Sequence, residues 1–312
     1  MKIFIVQPKL ASYRIPVYEN IAKENNTVYV FHEGALDGSD INIPLCQSKL
    51  LRRYSFSKIY YQKGLLEKII KEKPDKIFYY ADLKNLTLWF SLILAKIFNI
   101  EIYLHGQGLF KKIKIHITDK LIWSLALAFC TKFIAYNQYV SDEMERAFPS
   151  SKNKISKCDN TLEDSQLYEM KPLIEDNNGI LFIGRIRDGV NLDLLIEAVQ
   201  IINNKHNEKQ EKYSLHIIGD GEMLEEMKRE YNDLDFIKWY GKIYSHSDIE
   251  LIARQCSIGV YPGDGGLSVV HYMALGLFPL VHGSWKRHMG PEPWYVKKYQ
   301  KNIYLNVIAR NP

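Results

Sequence analysis

Residues 257–283, SIGVYPGDGGLSVVHYMALGLFPLVHG, read as strand, glycine-rich turn, helix and strand in immediate succession. That succession commits this part of the chain to a parallel α/β sheet. An apolar run at 257–261 is followed by Pro262, Gly263, Asp264, Gly265 and Gly266, a turn whose backbone can approach a ligand closely, and helical periodicity resumes over 267–275. The unpaired amides of that helix's first turn, with its positive dipole end, favour an anion such as a phosphate. Gly276 suits a helix C-cap, and Pro279 begins the next strand. An ordinary βαβ turn without a ligand would have the same spacing.

Two further stretches point the same way. Residues 180–184 form a buried-strand run ending in Gly184-Arg185, and 192–199 repeat apolar residues at helical spacing. An arginine at the C-terminal end of a parallel strand sits on the rim where open α/β sheets bind ligands. There its guanidinium can grip a diphosphate bidentately, although a solvated loop cation reads the same. A strand at 214–218, the turn Gly219-Asp220-Gly221 and a charged amphipathic helix at 222–230 complete a third unit. The three units are expected to converge on one cleft.

The N-terminal half alternates strand candidates at 3–7, 27–32, 76–80, 101–105 and 133–136 with helical patterns around 17–23, 65–72, 86–98 and 118–129. Repeated from residue 180 onward, the alternation implies two Rossmann-like domains with right-handed crossovers, joined by a polar linker at 163–178. A length of 312 residues accommodates two cores, and a hydrophobic share of 46% excludes a disordered chain. Cys46, Cys130, Cys158 and Cys256 show no paired spacing, which predicts reduced thiols in the cytoplasm and argues against structural zinc. The N-terminus has no long apolar stretch of a signal peptide. The longest apolar runs, 86–95 and 121–130, fall far short of the roughly 18 residues that span a bilayer.

The net charge of +5 is unevenly placed, since 49–53, 58–73 and 111–120 gather cations beside Tyr, Phe, Leu and Ile. Attraction to acidic headgroups is about 1 kcal/mol per well-placed cation, so this face is expected to hold the protein peripherally at an anionic membrane surface. A solvated basic face is the competing reading. No nucleic-acid recognition motif accompanies the charge.

One ordered set of motifs runs through nearly the whole chain. It comprises ASYRIPVYENIA at 11–22, LHGQG at 104–108, NTLE at 160–163, FIGR at 182–185, IIGDG at 217–221, WYGKI at 239–243, and the Gly-Leu-Ser segment ending in MALG at 273–276. This set resembles the retaining, GT-B-fold glycosyltransferases of the family-four type. The segment GLSVVH, His282 and the run His288-Met289-Gly290-Pro291-Glu292 are similar to bacterial surface-polysaccharide transferases.

The resemblance implies an α/β chain of two Rossmann-like domains facing an interdomain cleft, with residues 1–165 taking the acceptor and 166–312 the nucleotide-sugar donor. It implies transfer from a UDP-sugar to a glycan or lipid-linked acceptor in lipopolysaccharide or capsule synthesis. Anomeric configuration would be retained, with neither cofactor nor metal, and the lack of an Asp-x-Asp triplet agrees. Catalytic roles are carried over to Arg185, Arg187 and His105. Donor contacts are carried over to Gly184, Gly219, Asp220, Gly221, Lys242, Ile243, Gly263, Asp264, Gly265, Gly266, Leu267, Ser268, His271 and Glu292, and acceptor contacts to Tyr13, Arg14, Gly106, Gln107 and Gly108.

The departures from the family's pattern are specific. Two glutamates eight residues apart are expected around the Gly-Leu turn, and here Gly263 and His271 stand there. A lysine is expected five residues after the arginine, and here it is Val190, leaving Arg187 as the nearest substitute cation, followed by Lys242 and Lys286-Arg287. His271 can still hydrogen-bond a ribose hydroxyl.

Two other classes of function stay open. One is a sugar-nucleotide-binding partner without turnover, suggested by Gly263 and Val190. The other is a nicotinamide oxidoreductase, weakened because Gln7-Pro8-Lys9 follows the first strand in place of Gly-x-Gly-x-x-Gly. By the same resemblance, final helices would cross back onto the first domain. Because the chain stops soon after the strand-like 303–305, an abbreviated end is expected.

Overall fold

The computed structural model describes residues 1–35, 42–162, 177–205, 212–243 and 245–299. Most of the expected linker and the strand-like 303–305 lie outside the described residues. The chain divides into two compact units, Met1–Glu163 and Asp164–Pro312.

The first unit runs β1 (Lys2–Val6), α1 (Ile15–Lys23), β2 (Thr27–His32), β3 (Gln47–Leu50), β4 (Arg52–Phe56), β5 (Ile59–Lys63) and α2 (Leu65–Glu72). It continues through β6 (Lys76–Tyr80), α3 (Leu86–Phe98), β7 (Glu101–Gly106), α4 (Ile117–Phe129), β8 (Lys132–Ala135), α5 (Gln138–Ala147) and β9 (Ile155–Lys157). Seven strands form one parallel sheet in the order β3-β2-β1-β6-β7-β8-β9, while β4 and β5 pair separately as an antiparallel hairpin.

The two-residue period of a strand explains how this sheet is buried on both faces. Phe4 and Val6 of β1, with Tyr29 and Phe31 of β2, enter one core; Ile3, Ile5, Val28 and Val30 enter the other. Helix α3 starts where the Asn85 side chain accepts the Thr87 N–H at 2.9 Å and stops at Asn99, whose φ of +54° is left-handed. Asn85 also belongs to a buried polar network. Its amide donates to Gln62 Oε1 at 2.7 Å, the Tyr79 hydroxyl donates to the same oxygen at 2.9 Å, and Gln62 N–H donates to Thr87 Oγ1 at 2.7 Å. The network fastens the hairpin to α3.

The second unit runs β10 (Gly179–Ile183), α6 (Leu192–Lys205), β11 (Ser214–Ile218), α7 (Leu224–Glu230) and β12 (Ile237–Gly241). Then follow α8 (His246–Ala253), β13 (Cys256–Tyr261), α9 (Ser268–Ala274), β14 (Phe278–Val281) and α10 (Trp294–Tyr299). Its five strands are parallel in the order β12-β11-β10-β13-β14. Strand order reverses between β10 and β13, and the crevice beyond the carboxyl ends at such a reversal is where open α/β sheets bind ligands. Both glycine-bearing loops of the sequence, after β10 and after β13, open there.

In the first unit, sequence periodicity does not predict β3, β4, β5, β9 or α5. Every residue of β4 is exposed, as are three of the four of β3, so neither strand has the apolar alternation that would reveal it. Helices α7 and α9 begin later than expected, at Leu224 and Ser268, because residues 219–223 and 262–267 are occupied by tight turns.

Candidate functional site

In the second unit the site is built on two carbonyl-rich loops pressed together. Gly184 N–H donates to Ile218 O at 3.1 Å and Ile186 N–H to Asp220 O at 2.9 Å, so the loop after β10 is laced to the turn after β11. A Cβ at Gly219 would overlap the carbonyl of Gly184, and one at Gly221 the carbonyl of Ile186. These glycines are thus required by the close approach of two backbones. The Asp220 carboxylate is spent locally, accepting the Gly221 N–H at 2.8 Å.

The loop after β10 also lies against the turn after β13. Asp264 N–H donates to Gly189 O at 3.1 Å, and Arg187 Nη2 reaches both carboxylate oxygens of Asp264 at 2.8 Å. Arg187, expected as a substitute diphosphate cation, is therefore committed to an ion pair. Its guanidinium folds onto the adjacent carboxylate because the two loops are already in contact. Arg185 is exposed, and no hydrogen bond or ion pair engages its guanidinium among the described residues.

The anion-binding expectation for the glycine turn needs a correction. The Gly265 N–H donates to the Gly263 carbonyl at 2.9 Å, so this amide is consumed inside the turn, and α9 is only seven residues long. Among the described residues, the amides of Gly266, Leu267 and Ser268 make no backbone hydrogen bond.

The segment after β14 closes over the turn. Met289 N–H donates to Gly265 O at 2.9 Å, and the His288 ring, wholly buried, stacks on His282 with centroids 4.0 Å apart. His288 Nε2 lies 3.0 Å from His282 O, and His282 Nδ1 accepts the Ser284 N–H at 3.1 Å. Burial, then the Arg287 charge, hold His282 below its usual range. Glu292 is 3% exposed, and its Oε2 lies 3.9 Å from where a Cβ of Gly266 would stand. The fold thereby brings Gly263, Asp264, Gly265, Gly266, Leu267, Arg187 and Glu292 together. Ser268 and His271 lie on the first turns of α9, and Lys242 and Ile243 follow β12, the far edge strand.

One residue at the strand reversal escapes sequence reasoning. The fully buried Tyr272 hydroxyl accepts the Ile183 N–H at 2.9 Å and donates to Val260 O at 3.1 Å, pinning β10 to β13. A Cβ at Gly259 would collide with its ring. A glycine inside a strand was the available signal, since it marks a close approach.

In the first unit, the segment after β1, the ends of β6 and β7 and the residues after β8 and β9 contribute an aromatic and cationic cluster. Arg14 Nη2 donates to Asn160 Oδ1 at 3.1 Å and to the Tyr136 hydroxyl at 3.3 Å, and its guanidinium lies 5.8 Å from the Tyr13 ring centroid. The His105 ring packs between Tyr80 and Tyr136, with centroids 5.8 and 6.2 Å away. Burial, and after it the Arg14 charge, push His105 down to about 3. The imidazole is therefore neutral near pH 7. Gly108, with φ +53°, turns the chain beside Met144, after Gly106 and the half-buried Gln107. Among the described residues no group of three or more His, Cys, Asp or Glu could hold a metal ion.

Residues 165–284 match the family model described as "Glycosyl transferases group 1". Solved structures covering most of the chain agree on the fold. HepE of Anabaena in complex with UDP-glucose is 16% identical, with TM-score 0.61, over 93% of this chain and 81% of that one. The lipopolysaccharide outer core galactosyltransferase WaaB, in its apo form, is 15% identical with TM-score 0.60, over 93% and 82%. The UDP-GlcNAc 2-epimerase of Methanocaldococcus jannaschii is 14% identical with TM-score 0.61, over 98% and 89%. Among curated proteins, none matches this sequence. The chain thus has the GT-B fold of two Rossmann-like domains, and its segment 165–284 is similar to group 1 glycosyl transferases.

Proposed function

We propose that this protein transfers a sugar from a UDP-sugar, with retention of configuration, to a glycan or lipid-linked acceptor of a bacterial surface polysaccharide. One observation carries the reading. Where strand order reverses between β10 and β13, the loop that begins at Gly184-Arg185 meets the turn at 263–267 through Gly189 and Val190, with the Glu292 carboxylate beside Gly266. The donor belongs to the second unit and the acceptor to the first.

As the sugar–oxygen bond breaks, negative charge accumulates on the leaving diphosphate. Arg185 and the Gly266 and Leu267 amides stabilise that charge more than the ground state. The acceptor hydroxyl forms the new bond on the leaving-group face, and its proton passes to a donor phosphate oxygen. Metal independence belongs to this reading because a guanidinium and amides supply the positive field. Being neutral, His105 serves as a hydrogen-bond partner for a sugar hydroxyl rather than as a cation.

The test is UDP release, measured by mass spectrometry across UDP- and GDP-sugars with saccharide and lipid-linked acceptors. UDP release from at least one UDP-sugar, lost in Arg185→Ala, is expected. Binding of UDP without turnover on any pair would favour the second reading, a sugar-nucleotide-binding partner. The packing of Val190 against Gly263 supports that alternative, since it leaves no room for the usual glutamate.

Peripheral membrane association is part of the proposal. Leu86, Phe90, Ile93 and Ile97 form an exposed stripe on α3, and Ile117, Leu121 and Leu125 form one on the adjacent α4. Exposed Ile113 lies in the loop before α4 among Lys111, Lys112, Lys114 and Lys120, and the nearby acid, Asp119, is paired with Lys112 at 2.8 Å. An apolar face rimmed by cations complements an acidic bilayer surface. No helix among the described residues is long and apolar enough to cross a membrane. Co-sedimentation with acidic but not neutral vesicles, reduced by Ile113→Asp/Ile117→Asp, is expected. Equal binding to both vesicles, or none, refutes it.

A further inference from the structure

At the β3 edge of the first unit a cleft of about 340 Å³ is lined by four lysines from three elements: Lys49 of β3, Lys63 at the end of β5, and Lys68 and Lys71 of α2. Phe31 and Leu51 supply apolar wall. The Lys49 and Lys68 ammonium groups stand close enough that Lys68 is the main reason Lys49 holds its proton less firmly than usual, with Lys71 adding to the effect.

Carboxylates do not balance this charge. Glu67 lines the cleft, and Glu72, 3.5 Å from Lys68, is shared with Lys2 at 3.0 Å. Like charges gathered over a cavity repel one another, and an anion seated among them would offset that repulsion. Lysines act as rotatable point charges and suit a phosphate, whose several oxygens carry more charge than one carboxylate.

We propose that this cleft binds the phosphate or diphosphate group of a ligand other than the donor nucleotide, either a free phosphorylated compound or a lipid headgroup. The site lies wholly within the first unit and does not depend on the donor reading. Its apolar wall accepts carbon attached to the phosphate, and its lysines accept the charge.

Calorimetric titration of the full chain with inorganic pyrophosphate, at saturating UDP, tests the assignment. Lys49→Ala/Lys68→Ala should weaken pyrophosphate binding at least tenfold and leave UDP affinity unchanged, whereas Lys49→Arg/Lys68→Arg should retain binding. The alanine variant should melt at the same temperature or higher, because a repulsion is removed. A second arm uses phosphatidylcholine vesicles with and without phosphatidic acid. Lysine-dependent vesicle binding displaced by pyrophosphate identifies a headgroup, and lysine-dependent pyrophosphate binding without vesicle binding identifies a soluble ligand. If neither arm depends on the lysines, the proposal is overturned. Failure of the parent to bind UDP would instead count against the donor reading and leave the lysine comparison intact.

Discussion

The main-chain carbonyl of Val190 lies so close to the Cα of Gly263 that even a methyl group at residue 263 would overlap it. The Val190 side chain is itself buried, at 1% exposure. These are two of the positions where the resembled family places a glutamate and a lysine. Both departures express one packing solution, in which the loop after β10 closes onto the turn after β13.

Restoring one side chain should therefore damage the fold before it helps function. Gly263→Ala should destabilise the protein by on the order of 2–4 kcal/mol, because the obstructing atoms are backbone with little room to shift. A denaturant midpoint in the range of the parent would show that the contact relaxes freely.

Arg185 and Arg187 should separate by phenotype. Arg185→Ala should weaken nucleotide binding by about 1.5–3 kcal/mol, the scale of charge-assisted hydrogen bonds, with stability unchanged. Arg187→Ala removes the partner of Asp264 from a partly exposed pair and should cost about 1 kcal/mol of stability. Calorimetry with UDP and a urea melt on both variants distinguish the two roles.

We propose, from the resemblance, that His271 on α9 meets the donor ribose. His271→Ala should lower affinity for UDP and UMP alike, by about 1 kcal/mol for one neutral hydrogen bond. A loss confined to UDP would move the contact to the second phosphate.

Acid should weaken the fold through histidines that their surroundings keep neutral. His105 is pushed down to about 3, and His216 to about 4 by burial and then Lys238, from the ordinary histidine value of 6.5. Both folded values lie below the unfolded one, so in this interval the unfolded chain binds more protons. This stabilisation is fully present above pH 6.5 and is lost as pH falls toward the folded values. Near pH 5 the loss is at most about 2 kcal/mol per histidine. His216, held between the Ser214 and Tyr240 hydroxyls at 2.9 Å, offers the cleaner variant. Urea midpoints of His216→Gln should depend less on pH than the parent's, and identical pH slopes would contradict this.

Much of the fold was legible in the sequence because local rules and global structure agree. The strand over Thr27–His32 and the helix over Leu86–Phe98 are found where periodicity places them. Each has enough apolar residues at the right period to force one conformation. The exposed strands β3 and β4 lack that pattern, and their place is decided by neighbours distant in sequence. The candidate site was legible as a set of loops but not as a set of contacts. Gly184-Arg185 and the turn at 263–267 are visible as strand ends, yet nothing local in the sequence pairs Arg187 with Asp264, 77 positions away, or spends the Gly265 amide on Gly263.

By itself the sequence determined the alternation of strands and helices, the glycine turns at the strand ends and the uneven placement of cations, because these follow from period, backbone freedom and charge at neighbouring positions. Only the tertiary structure decided why Gly263 must be glycine, which arginine is left exposed, that Tyr272 pins β10 to β13, and that Lys49 and Lys68 share a cleft. Each of those depends on the distance between backbones or charges that the chain brings together from far apart, and no local pattern encodes such a distance.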